Sequence, residues 1–215
     1  TYISPATNST NGYNTYVRSS VFNGEVRHYS TSSNNYYDSD AGTGNVYNGL
    51  VRYERTGSGA FSIATVQNTY NGDVTLVDNN ATIGRALFSA PSGSSLSMNG
   101  NTINFLTLNT PQLVVNEDVR INNTLTFQSG KLTTDPLTPN AKIIFNDNAS
   151  HSGASAASHA VLTVQKEGND VFTFPVGSGV LYAPVSMTAP ASGSAFSVQY
   201  IPENPDDASL DTSSR

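Results

Sequence analysis

Cysteine is absent from all 215 residues, which removes disulfides, zinc–thiolate sites and thiol nucleophiles together. Charge is scarce as well. Only 12% of residues are charged, ten Lys and Arg stand against sixteen Asp and Glu, and the net charge is −6. A nucleic-acid or anionic-membrane partner needs clustered basic residues to displace counterions, and no such cluster exists, so both are excluded as partners. No apolar run approaches the length of a membrane-spanning helix. Helical periodicity is missing too, because no window carries Leu, Ala, Glu or Lys at 3.6-residue spacing over three turns. What fills the chain is Ser, Thr, Asn and Gly, with eleven Tyr and nine Phe as β-formers. Extended structure with many polar turns follows, and a large cysteine-free β-protein rich in Asn, Ser and Thr is more at home outside a cell than in the cytosol.

Four times an aromatic or large apolar residue precedes Asn-Gly and an alternating stretch. The copies are Val21 to Val26, Val46 to Val51, Thr69 to Val74 and Ser97 to Thr102, with a weaker fifth, Ile121-Asn122-Asn123-Thr124-Leu125. Steps between Asn23, Asn48, Asn71, Asn99 and Asn122 are 25, 23, 28 and 23 residues, the length of one supersecondary unit. Phe22, Tyr47, Tyr70, Met98 and Ile121 form a column before the Asn, and such a column predicts a core. Val26 and His28, Val51 and Tyr53, and Val74 and Leu76 follow the period-two rule of a strand with one buried face. The fourth copy shifts by one residue to Ile103 and Phe105, which calls for a bulge or a longer turn there. Each Asn-Gly also suits a hairpin turn in an antiparallel sheet. The recurrence of the columns favours stacked coils instead.

From Gly130 the pattern changes. Thr134-Asp135-Pro136-Leu137-Thr138-Pro139-Asn140 reads as a connector, Lys142 to Phe145 as a strand, and Asn148 to His159 as a mobile loop. Short strands follow around Val161 to Val164, Val171 to Gly177, Val185 to Met187 and Phe196 to Tyr200. The expected fold is all-β: a right-handed parallel β-helix or solenoid over residues 1–135, in coils of ~23–28 residues, then a small antiparallel β-sandwich over 136–215.

Phe172-Thr173-Phe174-Pro175-Val176-Gly177, with Tyr182-Ala183-Pro184-Val185 and Phe196-Ser197-Val198-Gln199-Tyr200, resembles a module near the ends of long secreted surface proteins of the Bacteroidota. Val119 to Leu132 and the Asn-Gly repeats before it are similar to segments that commonly precede that module. The resemblance spans most of the chain and is nearly silent about activity. It implies export by the type IX secretion route, with outer-membrane secretion machinery as a partner during export. It also implies a cell-surface or extracellular adhesin or structural protein, whose ligands would be glycans or other cell-surface groups. The abrupt ends at Thr1 and Arg215 read as those of an excerpt from a longer chain, so neighbouring domains or self-assembly are further expected partners.

Candidate chemistry is sparse. Asp38-Ser39-Asp40-Ala41-Gly42 alternates carboxylates as a calcium loop does, which makes Asp38 and Asp40 the candidate ligands. Gly42 stands where an acid or amide belongs and no bidentate Glu follows, so a solvated turn is the competing reading, and no other cofactor is indicated. Asp206, Asp207 and Asp211 are weaker still. Tyr29, Tyr36 and Tyr37, with Tyr13 and Tyr16, concentrate in the first forty residues, and exposed tyrosines offer area with a polar tip for glycan binding. Glu25, Glu54, Asp73 and Asp78 are the acids that stacked coils bring within reach of one another, which leaves a carbohydrate-active enzyme as the alternative to a non-enzymatic protein. A passenger of the secretion machinery is a third reading. His28 falls in the inward series, and His151 and His159 lack partners at metal-ligand spacing.

Overall fold

The structure, a computed structural model, describes residues 2–6, 15–31, 33, 35–58, 61–77 and 81–202, with 2–6, 15 and 61 described in backbone only. These residues form no helix; their parallel strands wind into a β-solenoid of about seven turns. The first coil holds β1 (Tyr2–Ala6), β2 (Thr15–Val17) and β3 (Val21–Phe22). The second holds β4 (Val26–Ser30), β5 (Tyr36–Asp38) and β6 (Val46–Tyr47), and the third β7 (Val51–Arg55), β8 (Phe61–Ile63) and β9 (Asn68–Tyr70). Three faces result. β1, β4 and β7 stack on the first, β2, β5 and β8 on the second, and β3, β6 and β9 on the third, all in parallel register.

Beyond residue 73 the corners tighten and strands run round them. β10 (Val74–Leu76) and β12 (Ser94–Ser97) continue the first face, while β11 (Thr82–Phe88) covers the second and third in one strand. β13 (Thr102–Val115) and β14 (Val119–Thr134) each turn through all three. Burial along β13 shows how. Ile103, Leu106, Leu108, Thr110, Leu113 and Val115 point in, so the inward phase moves from odd to even positions and back again. Each corner inserts a residue that resets the alternation.

That reset corrects the expected alignment of repeats. Asn23, Asn48 and Asn71 do share one corner, between the third and first faces, and form a ladder in which Asn48 Nδ2 donates to Asn23 Oδ1 (2.8 Å) and Asn71 Nδ2 to Asn48 Oδ1 (2.7 Å). Asn99-Gly100 instead turns from the first face to the second, and Asn122-Asn123 from the second to the third. Phe22, Tyr47 and Tyr70 are therefore continued by Phe88, Leu108 and Phe127, not by Met98 and Ile121. Their rings stack at centroid distances of 5.0 Å for Phe22–Tyr47 and 5.5 Å for Tyr47–Tyr70, nearly parallel in both cases. Phe105 is half-buried at a corner rather than inward. The bulge anticipated near Ile103 exists, but its extra residue lies on β14 opposite. The coils also shorten, since Val26, Val51, Val74, Leu96 and Val115 are stacked partners at steps of 25, 23, 22 and 19 residues.

The connector at 135–141 does not end the solenoid. β15 (Lys142–Phe145) pairs in parallel with β14 across it, and β16 (Ser150–Ser152), β17 (Ser158–Val161) and β18 (Thr163–Gly168) extend the three faces. The segment read as a mobile loop thus contains two strands. Its side chains carry no periodicity, and the ladder from β14 supplies the order instead. Antiparallel pairing begins only with β19 (Phe172–Phe174), β20 (Gly177–Ser178), β21 (Leu181–Tyr182), β22 (Val185–Met187) and β23 (Ser194–Val198). β19 pairs with β22, β20 with β21, and β23 lies antiparallel along β18. These are small pieces closing one end of the coil stack, and β23 covers the sheet edge that β18 would otherwise offer to another strand.

The inward column of the second face runs Val17, Asp38, Ile63, Ile83, Ile103, Ile121, Phe145, Lys166, apolar in the middle with a buried charged residue towards each end. Lys166, fully buried, donates to the carbonyls of Asn146 (2.8 Å) and Glu167 (2.9 Å) and pairs with Asp170 at 2.6 Å.

The close stacking of corners gives a test. A Cβ on Gly72 would lie 2.6 Å from the carbonyl oxygen of Gly49, and one on Gly49 would lie 2.7 Å from that of Gly24, whereas a Cβ on Gly24 meets nothing. Gly72→Ala is expected to cost about 2 kcal/mol of stability in urea unfolding followed by circular dichroism. Gly24→Ala should change it by less than about 0.5 kcal/mol.

Candidate functional site

The polar side chains concentrate in the second and third coils, where the corner between the second and third faces is longest (39–45). Asp38 sits at an inward position with no exposure. An unpaired charge there would be very costly, and the fold surrounds it with donors. Tyr47 donates to its Oδ1 at 2.9 Å, Tyr53 and Asn68 to its Oδ2 at 2.6 and 2.7 Å, and Asn45 Nδ2 to Oδ1. Tyr47 spends its only proton on Asp38, so it accepts from His28 Nε2–H at 2.8 Å. His28 Nδ1 then accepts from Tyr36. Tyr70 in turn donates to Tyr53 at 3.0 Å. Burial, and then the charge of Asp38, push the hydroxyls of Tyr47, Tyr53 and Tyr70 well above the ordinary tyrosine value, so all three remain donors. Burial pushes His28 below the usual histidine value, against the pull of Asp38, which keeps the imidazole neutral.

Asp38, His28 and Tyr36 are enclosed on every side, so this cluster locks three coils together and offers nothing to a solute. Two expectations change as a result. Tyr36 is not a surface aromatic, because it is the inward member of β5, while Tyr37 beside it points outward. Asp38 and Asp40 do not converge on one ion, because Asp38 faces the core and Asp40 faces out, taking two hydrogen bonds from Arg18 at 2.5 and 2.7 Å. Those bonds hold the Asp40 carboxyl below its usual range. Among the described residues no group of three or more His, Asp or Glu could hold a metal ion.

The outer wall carries two tyrosine–arginine clusters. On the second face Tyr16, 48% exposed, stacks on Tyr37 with centroids 5.1 Å apart, and the Arg18 guanidinium lies 4.2 Å from the Tyr16 ring centre. On the first face Arg27 lies 5.1 Å from the Tyr29 ring and shares Glu54 with Arg52, at 2.5 and 3.3 Å. Burial raises Glu54, but the hydrogen bonds from both arginines outweigh it and hold the carboxyl below its ordinary value. Tyr29 and Tyr37, singled out by the concentration of tyrosines in the first forty residues, do face outward; Arg18 and Arg27 each lie two residues along the chain from the ring they cover, whereas the Tyr16–Tyr37 stack and the Arg27–Glu54 pair depend on cross-coil register.

The acids considered for catalysis stay apart. Glu25 and Asp73 occupy one corner two coils apart with Leu50 between them, and Asp73 accepts from Ser95 N–H at 2.6 Å. Glu54 is held by its arginines on the first face. Tyr13, Asp78, Asp206, Asp207 and Asp211 lie outside the described residues. No protein-family model, curated protein or solved structure matches the chain.

Asp38→Ala takes their shared carboxylate away from four buried donors and should cost about 3 kcal/mol or more, read as a lowered urea midpoint. Acid should weaken the fold in a defined window. His28, His151 and His159 are all depressed by burial from 6.5, so the unfolded chain takes up protons that the folded chain refuses. Stability is complete above pH 6.5 and falls as pH drops below it. Thermal unfolding between about pH 7.5 and 5.5 checks this, and His28→Gln should flatten the slope.

Proposed function

We propose that this chain is the rigid β-repeat stalk of an extracellular or cell-surface protein, structural and adhesive in role, with binding groups on its outer faces. The observation that carries the reading is the unbroken parallel ladder. Seven turns at the ~4.8 Å spacing of neighbouring strands make a segment roughly 34 Å long, held by backbone bonds along its axis. Buried columns of stacked rings and aliphatic side chains stiffen it, and the described polar clusters of the wall are shallow and outward. Glycans are the proposed ligands, since Tyr16 and Tyr37 expose stacked ring surface flanked by the Arg18–Asp40 pair. Export through the type IX route belongs to the same proposal and rests on the resemblance carried by Phe172 to Gly177.

Electron microscopy of natively isolated material tests the stalk. Thin extended particles much longer than this ~34 Å segment are expected, and compact particles that release soluble sugar from polysaccharide would overturn it. In a flow assay with glycan-coated beads, Tyr37→Ala should reduce retention at least about threefold at unchanged melting temperature.

A further inference from the structure

Where the second face turns into the third, the chain uses residues 39–45 in the second coil, 64–67 in the third, and only 84–85 and 104–105 in the next two. The step from a long corner to a short one leaves a recess in the outer wall. Its volume is about 330 Å³, and Ser62, Thr65, Thr82, Arg85, Asn104 and Phe105 line it. The step is held in place by backbone. Ala64 turns at a φ of 53°, in the left-handed region that costs a residue with a side chain, and its carbonyl accepts from Arg85 N–H at 2.6 Å. Glycine is required at 84, because a Cβ there would lie 2.4 Å from that same oxygen.

Arg85 sets the chemistry. Its guanidinium carbon lies 4.1 Å from the centre of the Phe105 ring, and among the described residues its side chain makes no ion pair and donates no hydrogen bond. Arg18, Arg27, Arg52 and Arg120, by contrast, each meet a carboxylate. In a chain of net charge −6, an exposed cation without an acid is poised for an anion from outside. The ring fixes the planar guanidinium, so little rotamer freedom remains to be lost on binding. Around it stand neutral hydrogen-bonding groups: the hydroxyls of Ser62, Thr65 and Thr82, and the amide nitrogen of Asn104, whose oxygen already accepts from Asn122 at 3.0 Å. One guanidinium balances one negative charge, which suits a carboxylate better than a phosphomonoester. Hydroxyl and amide groups in a recess of this size suit pyranose rings.

We infer that the recess at Arg85 and Phe105 binds a carboxylated sugar, a uronic acid unit of an acidic polysaccharide. The site names a ligand class for the adhesive reading but stands on its own geometry, and it is tested in solution, where particle shape plays no part.

The test is a titration of the purified full chain with trigalacturonate, with neutral maltotriose and sodium acetate as comparisons, followed by calorimetry and by amide shifts of residues 82–85 and 104–105. Saturable binding of trigalacturonate with Kd of about 1 mM is expected, weakening at least about threefold when salt rises from ~0.05 to ~0.5 M. Arg85→Gln should lose about tenfold or more. Arg85→Lys, which keeps the charge but not the planar stack, should lose about threefold. Melting temperature should match the parent in both variants. No saturation by ~10 mM, equal binding of maltotriose, acetate binding as tight as trigalacturonate, or undiminished affinity in Arg85→Gln would each overturn the assignment. Failure here with extended particles in microscopy would remove the site and leave the stalk standing.

Discussion

Backbone hydrogen bonds between successive coils fix the axial spacing of this molecule at the strand–strand distance, and every other feature has to be compatible with it. A residue on one coil meets its register partner on the next at about 4.8 Å. Side chains that can sit directly above and below their own kind therefore suit that spacing well. Flat rings satisfy this, as do branched aliphatics and asparagine amides. The Phe22–Tyr47–Tyr70 stack, the isoleucine column from Ile63 to Ile121 and the Asn23–Asn48–Asn71 ladder are three answers to the same geometric demand. Glycine at the Asn-Gly corner answers a fourth, because the backbone of one coil leaves no room for a Cβ on the next.

The interior changes character along the axis for the same reason. Where corners are long, the interior of the second and third coils has width to spare, and tyrosines fill it with their hydroxyls directed inward. Those hydroxyls need an acceptor, and Asp38 is the acceptor they converge on. Where corners shorten, from β11 onward, the section narrows and aliphatic side chains suffice. Lys166 and the phenylalanines Phe145, Phe172 and Phe174 fill the far end, beneath the antiparallel cap. Loop length, interior polarity and the outer recess at Arg85 are thus linked, since the corner that leaves space inside for Asp38 also creates a step outside when it contracts.

Parallel stacking was legible in the sequence because Val26, Val51 and Val74 recur with the same neighbours, and the three Asn-Gly pairs before them share one corner. The fourth and fifth copies misled for an instructive reason. Asn-Gly is a corner signal of no particular address, and a three-faced coil has three corners. Met98-Asn99-Gly100 and Ile121-Asn122-Asn123 carry the same chemistry to the other two. Strand β17 was hidden by the opposite effect, since Ser158-His159-Ala160 carries no apolar alternation and owes its extension to Leu132 and its neighbours on β14. Continuation of the parallel ladder past Pro136 and Pro139 was likewise invisible, because a proline-rich corner and a domain linker look alike in one dimension.

The sequence by itself determined the class of fold, the approximate coil length and the inward columns of the first and third faces as far as Leu76, because period-two alternation and turn chemistry are local and survive in one dimension. Tertiary structure alone decided which corner each turn occupies, that Asp38 faces in while Asp40 faces out, that Tyr36 is buried beside an outward Tyr37, and that Arg85 has a ring but no acid beside it. Each of those depends on register between residues some twenty positions apart. A corner that adds or removes one residue reverses the direction of everything after it, and only the hydrogen-bonded coil beneath settles which way that reversal falls.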